Sequence, residues 1–377
     1  MSQSRRHISG LDGLRALSIL IVVLSHVITT QGFPASLARV RDLEQGGFGV
    51  TIFFAISGYL ITRLLLDEEQ RAGTISIRGF YYRRAFRILP AAFAYLGFMA
   101  LLNVAWRPIV PLREIGIAAF FGENLWGKNV LVLHYWSLSI EEQFYLVWPA
   151  ILFFCPRKHL LHVVLAWIAL APLWFHLNLK LLGATEVNVS RPDLCADRLL
   201  TGVAIALAER DPIGTRVLAW VRARATWVFP VALVGASAYA VGSQHASSGF
   251  VVLPLQLARD VLIAALLYSA TCQAEGATSR ILEAPLVRFL GRLSYSLYLW
   301  QQLFLMGRAW PPGDAPWFAR FPMNLAYALA AACASYYLVE QPILRWRDRR
   351  SAKGVSALAQ PGTSGTRQPS APTPGRG

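Results

Sequence analysis

Leu11-Asp12-Gly13-Leu14-Arg15-Ala16-Leu17-Ser18-Ile19-Leu20-Ile21-Val22-Val23-Leu24-Ser25-His26 is the stretch that decides how this chain is read. It opens an apolar run over 12–31, and that run carries two ionisable side chains, Arg15 and His26. Such groups are expensive inside a bilayer and mark function by default. Eleven helical steps return the two side chains to nearly one face, about 16 Å apart along the axis. A cation near one membrane surface and an imidazole deep in the bilayer then look into the same space. That arrangement suits a reaction whose charged reagent enters from one side and is consumed in the middle.

The rest of the chain is of the same kind. Of its 377 residues, 55% are hydrophobic and only 15% charged, where soluble domains average about 25% charged. The mean hydropathy is +0.43. This excludes an ordinary soluble domain and predicts an all-α, polytopic transmembrane helical bundle. The net charge is +15 and the pI about 10.1. The positive charge gathers in loops between apolar runs, which is the positive-inside pattern and not a nucleic-acid site. The same loops suit a polyanionic partner. The first run follows Arg5 and Arg6 but lacks a small-residue cleavage site, so it is expected to be retained. Cys155, Cys195, Cys272 and Cys333 form no CxxC and no metal-like cluster, so no metal is expected. They read as small buried apolar residues. Only Cys195 falls on the outer face, so no outer-face disulfide within the chain is expected.

Apolar runs lie near 12–31, 46–66, 88–106, 114–126, 137–155, 160–181, 196–209, 225–244, 252–273, 290–307 and 322–343. The basic loops decide which of them cross. Arg5 and Arg6 put the N-terminus inside; Arg71, Arg78, Arg83, Arg84 and Arg87 follow the second run and belong inside too. So do Arg157 and Lys158, which requires one segment between 88 and 155 not to cross. The segment 114–126 is short and holds Gly122, Glu123 and Asn124; it falls below the roughly 17 residues needed to span. We read it as re-entrant or interfacial, leaving about ten spanning helices. Arg210, Arg216, Arg222, Arg224, Arg280 and Arg288 then fall inside, as does the tail with Arg345, Arg347, Arg349 and Arg350. A membrane domain over 1–348 and a disordered cytoplasmic tail over 349–377, rich in Ser, Pro, Gly and Thr, complete the organisation.

A second charged motif enters an apolar helix at His134-Tyr135-Trp136-Ser137-Leu138-Ser139-Ile140-Glu141-Glu142-Gln143-Phe144-Tyr145-Leu146-Val147-Trp148-Pro149. Glu141 lies about 8 Å below the outer start of this helix and His26 about 20 Å from the inner end of its own, so the depths agree. A carboxylate beside an imidazole fixes its tautomer and stabilises its protonated form, as a general base needs. Adjacent residues point about 100° apart, so one carboxylate, Glu141, is expected to face His26. In Phe80-Tyr81-Tyr82-Arg83-Arg84-Ala85-Phe86-Arg87-Ile88-Leu89-Pro90, Arg84 and Arg87 share one helical face. Arginine is the natural fork for phosphates, and coenzyme A arriving from the cytoplasm carries several. Ser57-Gly58 breaks the second run with small residues that favour close helix packing. Arg259 and Asp260 lie inside the ninth helix, as a structural pair or part of a cavity.

Taken in order, these segments resemble the integral-membrane acyltransferase family 3, the O-antigen acetylase type. The resemblance rests on Asp12-Gly13-Leu14-Arg15 with His26, Phe53-Phe54 with Ser57-Gly58-Tyr59, Arg84 and Arg87 before Pro90, and Trp136-Ser137-Leu138-Ser139-Ile140-Glu141. It continues through Asp197 with Gly202, Leu290-Gly291 with Ser294-Tyr295-Ser296-Leu297-Tyr298-Leu299-Trp300, and Glu340-Gln341-Pro342. It implies acyl transfer from cytoplasmic acyl-CoA, commonly acetyl-CoA, to a sugar hydroxyl on an exported glycan, lipid-linked saccharide or glycosylated metabolite. It implies an enzyme of the inner, cytoplasmic membrane with both termini inside. His26, Glu141 and Arg15 are then the candidate catalytic residues, and Arg83, Arg84 and Arg87 the candidates for acyl-CoA. Ser137, Ser139, Glu142, Asp197, Tyr298 and Gln301 are the candidates for substrate binding. The chain departs from the family at Gln301, where a histidine is common, and at Cys195, where an arginine is common; the nearest arginine is Arg191. The rival reading is a secondary transporter with His26 and Glu141 as a proton relay. The lack of a visible internal repeat and the cytoplasmic arginine set weigh against it.

Overall fold

The computed structural model describes residues 10–37, 46–106, 108–182, 190–243, 249–272, 276–310 and 315–358. Among them every regular element is helical: α1 (Leu11–Val27), α2 (Gly46–Ala72), α3 (Ile77–Ala105), α4 (Leu112–Ala119), α5 (Glu123–Trp126) and α6 (Tyr135–Phe154). There follow α7 (Arg157–Leu182), α8 (Pro192–Ala208), α9 (Pro212–Ala223), α10 (Ala225–Ser243), α11 (Gly249–Cys272), α12 (Ala277–Leu282), α13 (Pro285–Leu305), α14 (Met323–Ser335) and α15 (Gln341–Leu358). A π-helical turn, Tyr336–Glu340, joins the last two. The helices form a polytopic membrane bundle. Among the described helices α2, α3, α7 and the Pro254–Cys272 part of α11 are each long and apolar enough to cross a bilayer. The pair Pro212–Ala223 and Ala225–Tyr239 passes the same test of length and apolarity only when taken together, and it is bent by 91°, as a broken span or a re-entrant loop is. Arg15 of α1 and Glu141 of α6 face a cavity inside the bundle, where charge is tolerated.

The acidic run Asp67-Glu68-Glu69 ends α2 and ties three other elements to the same end of the bundle. Asp67 accepts from Arg210, Glu68 from Arg83 at 2.7 Å and Glu69 from Arg157 at 2.8 Å. The end of α2, the start of α3, the start of α7 and the joint between α8 and α9 therefore meet there. At the opposite end the chain leaves α3 and enters α6 without crossing between. Asn129 Nδ2 donates to the Ile109 carbonyl at 3.0 Å. Glu114 accepts from the backbone amides of Lys128 and Asn129 at 2.8 and 3.2 Å. Between these clasps α4 has 8 residues and α5 has 4, too few to span. Beneath this loop Glu123 is 2% exposed, and neither carboxylate oxygen has a hydrogen-bond partner among the described residues. Burial, reinforced by Glu114, pushes its carboxyl up to about 8.

Two glycines set the closest helix approaches. A Cβ at Gly291 of α13 would overlap the Asp12 carbonyl of α1, and one at Gly202 of α8 would overlap the Ala55 carbonyl of α2. Small residues allow such backbone contact in membranes. The helices also run past the apolar segments that announce them. The helix α15 runs from Gln341 to Leu358, into the segment 349–377. The remainder of that segment, like Arg5 and Arg6, lies outside the described residues.

Candidate active site

A cavity of about 370 Å³ opens among α1, α2, α3, α6, α13 and the π turn. Four arginines, Arg15, Arg84, Arg87 and Arg292, line it together with three carboxylates, Asp12, Glu141 and Glu340. Arg15 stands one turn above Asp12 on α1, 3.8 Å from its carboxylate. Ser76 caps the start of α3 by accepting from the Gly79 amide at 3.2 Å. Two turns on, Arg84 and Arg87 reach the cavity from adjacent turns of that helix. The Arg84 guanidinium lies over the Tyr145 ring, 4.5 Å from its centre, a contact that fixes a planar cation. Tyr145 sits one turn below Glu141 on α6 and donates to it at 2.8 Å, while Ser57 of α2 donates to its other oxygen at 3.1 Å. The π turn, a feature that often marks function, brings Glu340 to the cavity wall, where it accepts from Ser296.

The cavity ends at a ceiling of Phe53, Ser137 and Tyr298. Ser137 Oγ and the Tyr298 hydroxyl are 2.6 Å apart, and the Phe53 and Tyr298 rings meet edge to face at 6.4 Å. The Tyr298 hydroxyl also lies 3.0 Å from the His134 carbonyl, as a donor to it. His26 is not among the lining residues. It lies in the last turn of α1, half-buried, with Nδ1 2.6 Å from Oε1 of Gln301. Gln301 is fully buried one turn beyond Tyr298 on α13. Its Nε2 is directed at two acceptors, the Tyr298 carbonyl at 3.4 Å and Gln302 Oε1 at 3.3 Å. This orientation of the amide leaves its oxygen facing the imidazole. An amide oxygen only accepts, so Nδ1 carries the ring proton and the neutral ring keeps its lone pair on Nε2.

The structure gathers Arg15, Arg84, Arg87, Glu141, Ser137 and Tyr298 around one cavity. It pairs His26 with Gln301, and occupies Glu141 with Ser57 and Tyr145. Agreement in depth carries no information about azimuth, which is why depth alone suggested a His26–Glu141 pair. The other candidates lie elsewhere. Arg83, turned about 100° from Arg84, bonds Glu68 and not the cavity. Ser139 donates to the Tyr135 carbonyl at 2.8 Å within its own helix. Glu142 is not among the residues that line the cavity and has one buried oxygen without a partner among the described residues. Asp197 joins Arg259, which also bonds Asp260 at 2.9 Å, in a buried trio between α8 and α11. Arg292, Tyr145 and Ser57 were missed as site residues, and Glu340 carried no role. The i,i+4 spacing of Glu141 and Tyr145 was the available signal. Among the described residues no group of three or more His, Cys, Asp or Glu is placed to hold a metal ion.

The fold is a helical membrane bundle with a cavity lined by four arginines. Residues 8–340 match acyltransferase family 3, described as an acyltransferase domain, and the chain belongs to that family. It is similar to the peptidoglycan O-acetyltransferase OatA of Listeria monocytogenes, 28% identical over 326 residues, covering 79% of this chain and 49% of that protein. It is also similar to the O-acetyltransferase OatA of Staphylococcus aureus, 27% identical over 394 residues, covering 94% of this chain and 59% of that protein. The chain thus spans about half the length of the curated relatives it matches. No solved structure matches it.

Proposed function

We propose that the chain is a membrane O-acyltransferase that moves an acetyl group from acetyl-CoA to a hydroxyl of a sugar on an exported glycan. The observation that carries this reading is the convergence of Arg15, Arg84, Arg87 and Arg292 from three helices on one cavity that Tyr298 also lines, one turn from Gln301, the partner of His26. Phosphates of the donor bind the guanidiniums at the basic end. The pantetheine arm runs past Ser57 toward Tyr298. His26 Nε2 takes the proton of the acceptor hydroxyl as its oxygen attacks the thioester carbon. The C–S bond breaks, and the thiolate leaves with the proton that His26 returns. Glu141, held by Ser57 and Tyr145, balances the arginines of the cavity and does not contact the base. The basic end faces the cytoplasm, where acetyl-CoA is made and where arginine-rich loops belong, and the enzyme sits in the cytoplasmic membrane. The relative named for peptidoglycan favours a cell-wall polysaccharide as acceptor.

The test is acetyl transfer from radiolabelled acetyl-CoA to cell-wall saccharides by the protein reconstituted in vesicles, beside His26→Ala. Transfer by the wild type and its loss in a folded variant support the reading. Equal transfer by both removes His26 from the chemistry. Flux of a solute without any transfer favours the transporter instead.

A further inference from the structure

We propose that His134 is a second catalytic imidazole, donating its N–H to the carbonyl oxygen of the acyl thioester. Its residue is 5% exposed, and neither ring nitrogen has a hydrogen-bond partner among the described residues. Leaving such a group unpaired costs stability, and an orphan of this kind in a native protein calls for a reason. Packing is not the reason. The ring sits among three tyrosines, Tyr95 at 5.2 Å, Tyr135 at 4.9 Å and Tyr298 at 5.7 Å between ring centres. A phenylalanine would fill that cage with no unpaired polar atom.

Its place in the fold supplies the reason. His134 immediately precedes α6, and its carbonyl accepts from the Tyr298 hydroxyl at 3.0 Å, while Ser137 Oγ lies 2.6 Å from that hydroxyl. Tyr298, whose ring His134 meets at 5.7 Å, is one turn from Gln301, the partner of His26. His134 therefore lies behind Tyr298, a residue of the donor cavity's lining. A neutral imidazole offers one N–H. As the acceptor oxygen bonds to the carbonyl carbon, the π electrons move onto the carbonyl oxygen and that N–H holds the oxyanion. His26 takes the hydroxyl proton. Collapse re-forms the carbonyl, breaks the C–S bond and sends the electron pair to sulfur, which receives the proton from His26.

This inference rests on the acyl-transfer reading, so wild-type transfer from acetyl-CoA is measured first in the same vesicles. Its absence is a failure of that reading and not of this one. His134→Phe keeps the aromatic cage and removes the donor. Expected is a fall in kcat of about 10²–10³-fold, a KM for acetyl-CoA within about twofold and an unchanged affinity for CoA, which lacks the carbonyl. Its Tm should equal or exceed that of the wild type, because an unpaired polar group has gone. A kcat within about threefold of wild type overturns the inference. If His134→Phe lowers Tm, His134→Gln decides: its side-chain N–H should retain at least about a tenth of wild-type kcat, and an equal loss in both variants also overturns it.

Discussion

Nδ1 of His26 lies 2.6 Å from an amide oxygen that can only accept, so the tautomer of the proposed base is set by Gln301. Gln301→Leu should lower kcat by about 10²-fold, the usual scale for disabling a general base, and leave the KM for acetyl-CoA unchanged. An equal fall in kcat/KM through KM alone would place Gln301 in binding. Arg84→Ala and Arg87→Ala should do the opposite, raising KM by about 10–100-fold each, as charge-assisted bonds of about 1.5–3 kcal/mol imply. Titrating acetyl-CoA at fixed acceptor separates the two. The sequence made these arginines readable because their spacing repeats one helical turn. It made Gln301 readable as a substrate-binding candidate in place of a family histidine, and not as the partner of His26. Its partner lies 275 positions away, across a contact that no local pattern encodes.

Glu123 illustrates the element scale. Its carboxyl, pushed up to about 8 from an ordinary 4.5, binds its proton more tightly in the folded loop than in the open chain. Stability from this group is therefore full below about pH 4.5 and falls as pH rises through about 8. Glu123→Gln should leave Tm nearly unchanged at pH 5 and raise stability at pH 9 by on the order of 1–3 kcal/mol, read by scanning calorimetry in detergent. A variant curve parallel to the wild type across that range would contradict it. Hydropathy and length sufficed to read the spanning helices and to hold back 114–126 from crossing, because both follow from the thickness of hydrocarbon. They did not reveal α9 or the onward course of α15, which lie outside that constraint. Nor did they reveal the π turn that sets Glu340, since one extra residue in a turn leaves the apolar pattern intact.

For the whole molecule, the arginine clasps on Asp67, Glu68 and Glu69 fix which loops share an end, and the proposed orientation puts that end in the cytoplasm. Cys155 is exposed between α6 and α7 at the same end. A membrane-impermeant maleimide should label it in inverted vesicles and not in intact cells; the reverse would turn the protein over. A different consequence follows from Gly291. Because α13 touches α1 backbone to backbone there, the segments bearing Arg15, His26, Tyr298 and Gln301 have no compressible side-chain layer between them at that crossing. They behave as an anvil. Admission of a bulky nucleotide then falls to the opposite leaf, α3, and amide deuteration should proceed faster along residues 77–90 than along 11–27 or 285–305.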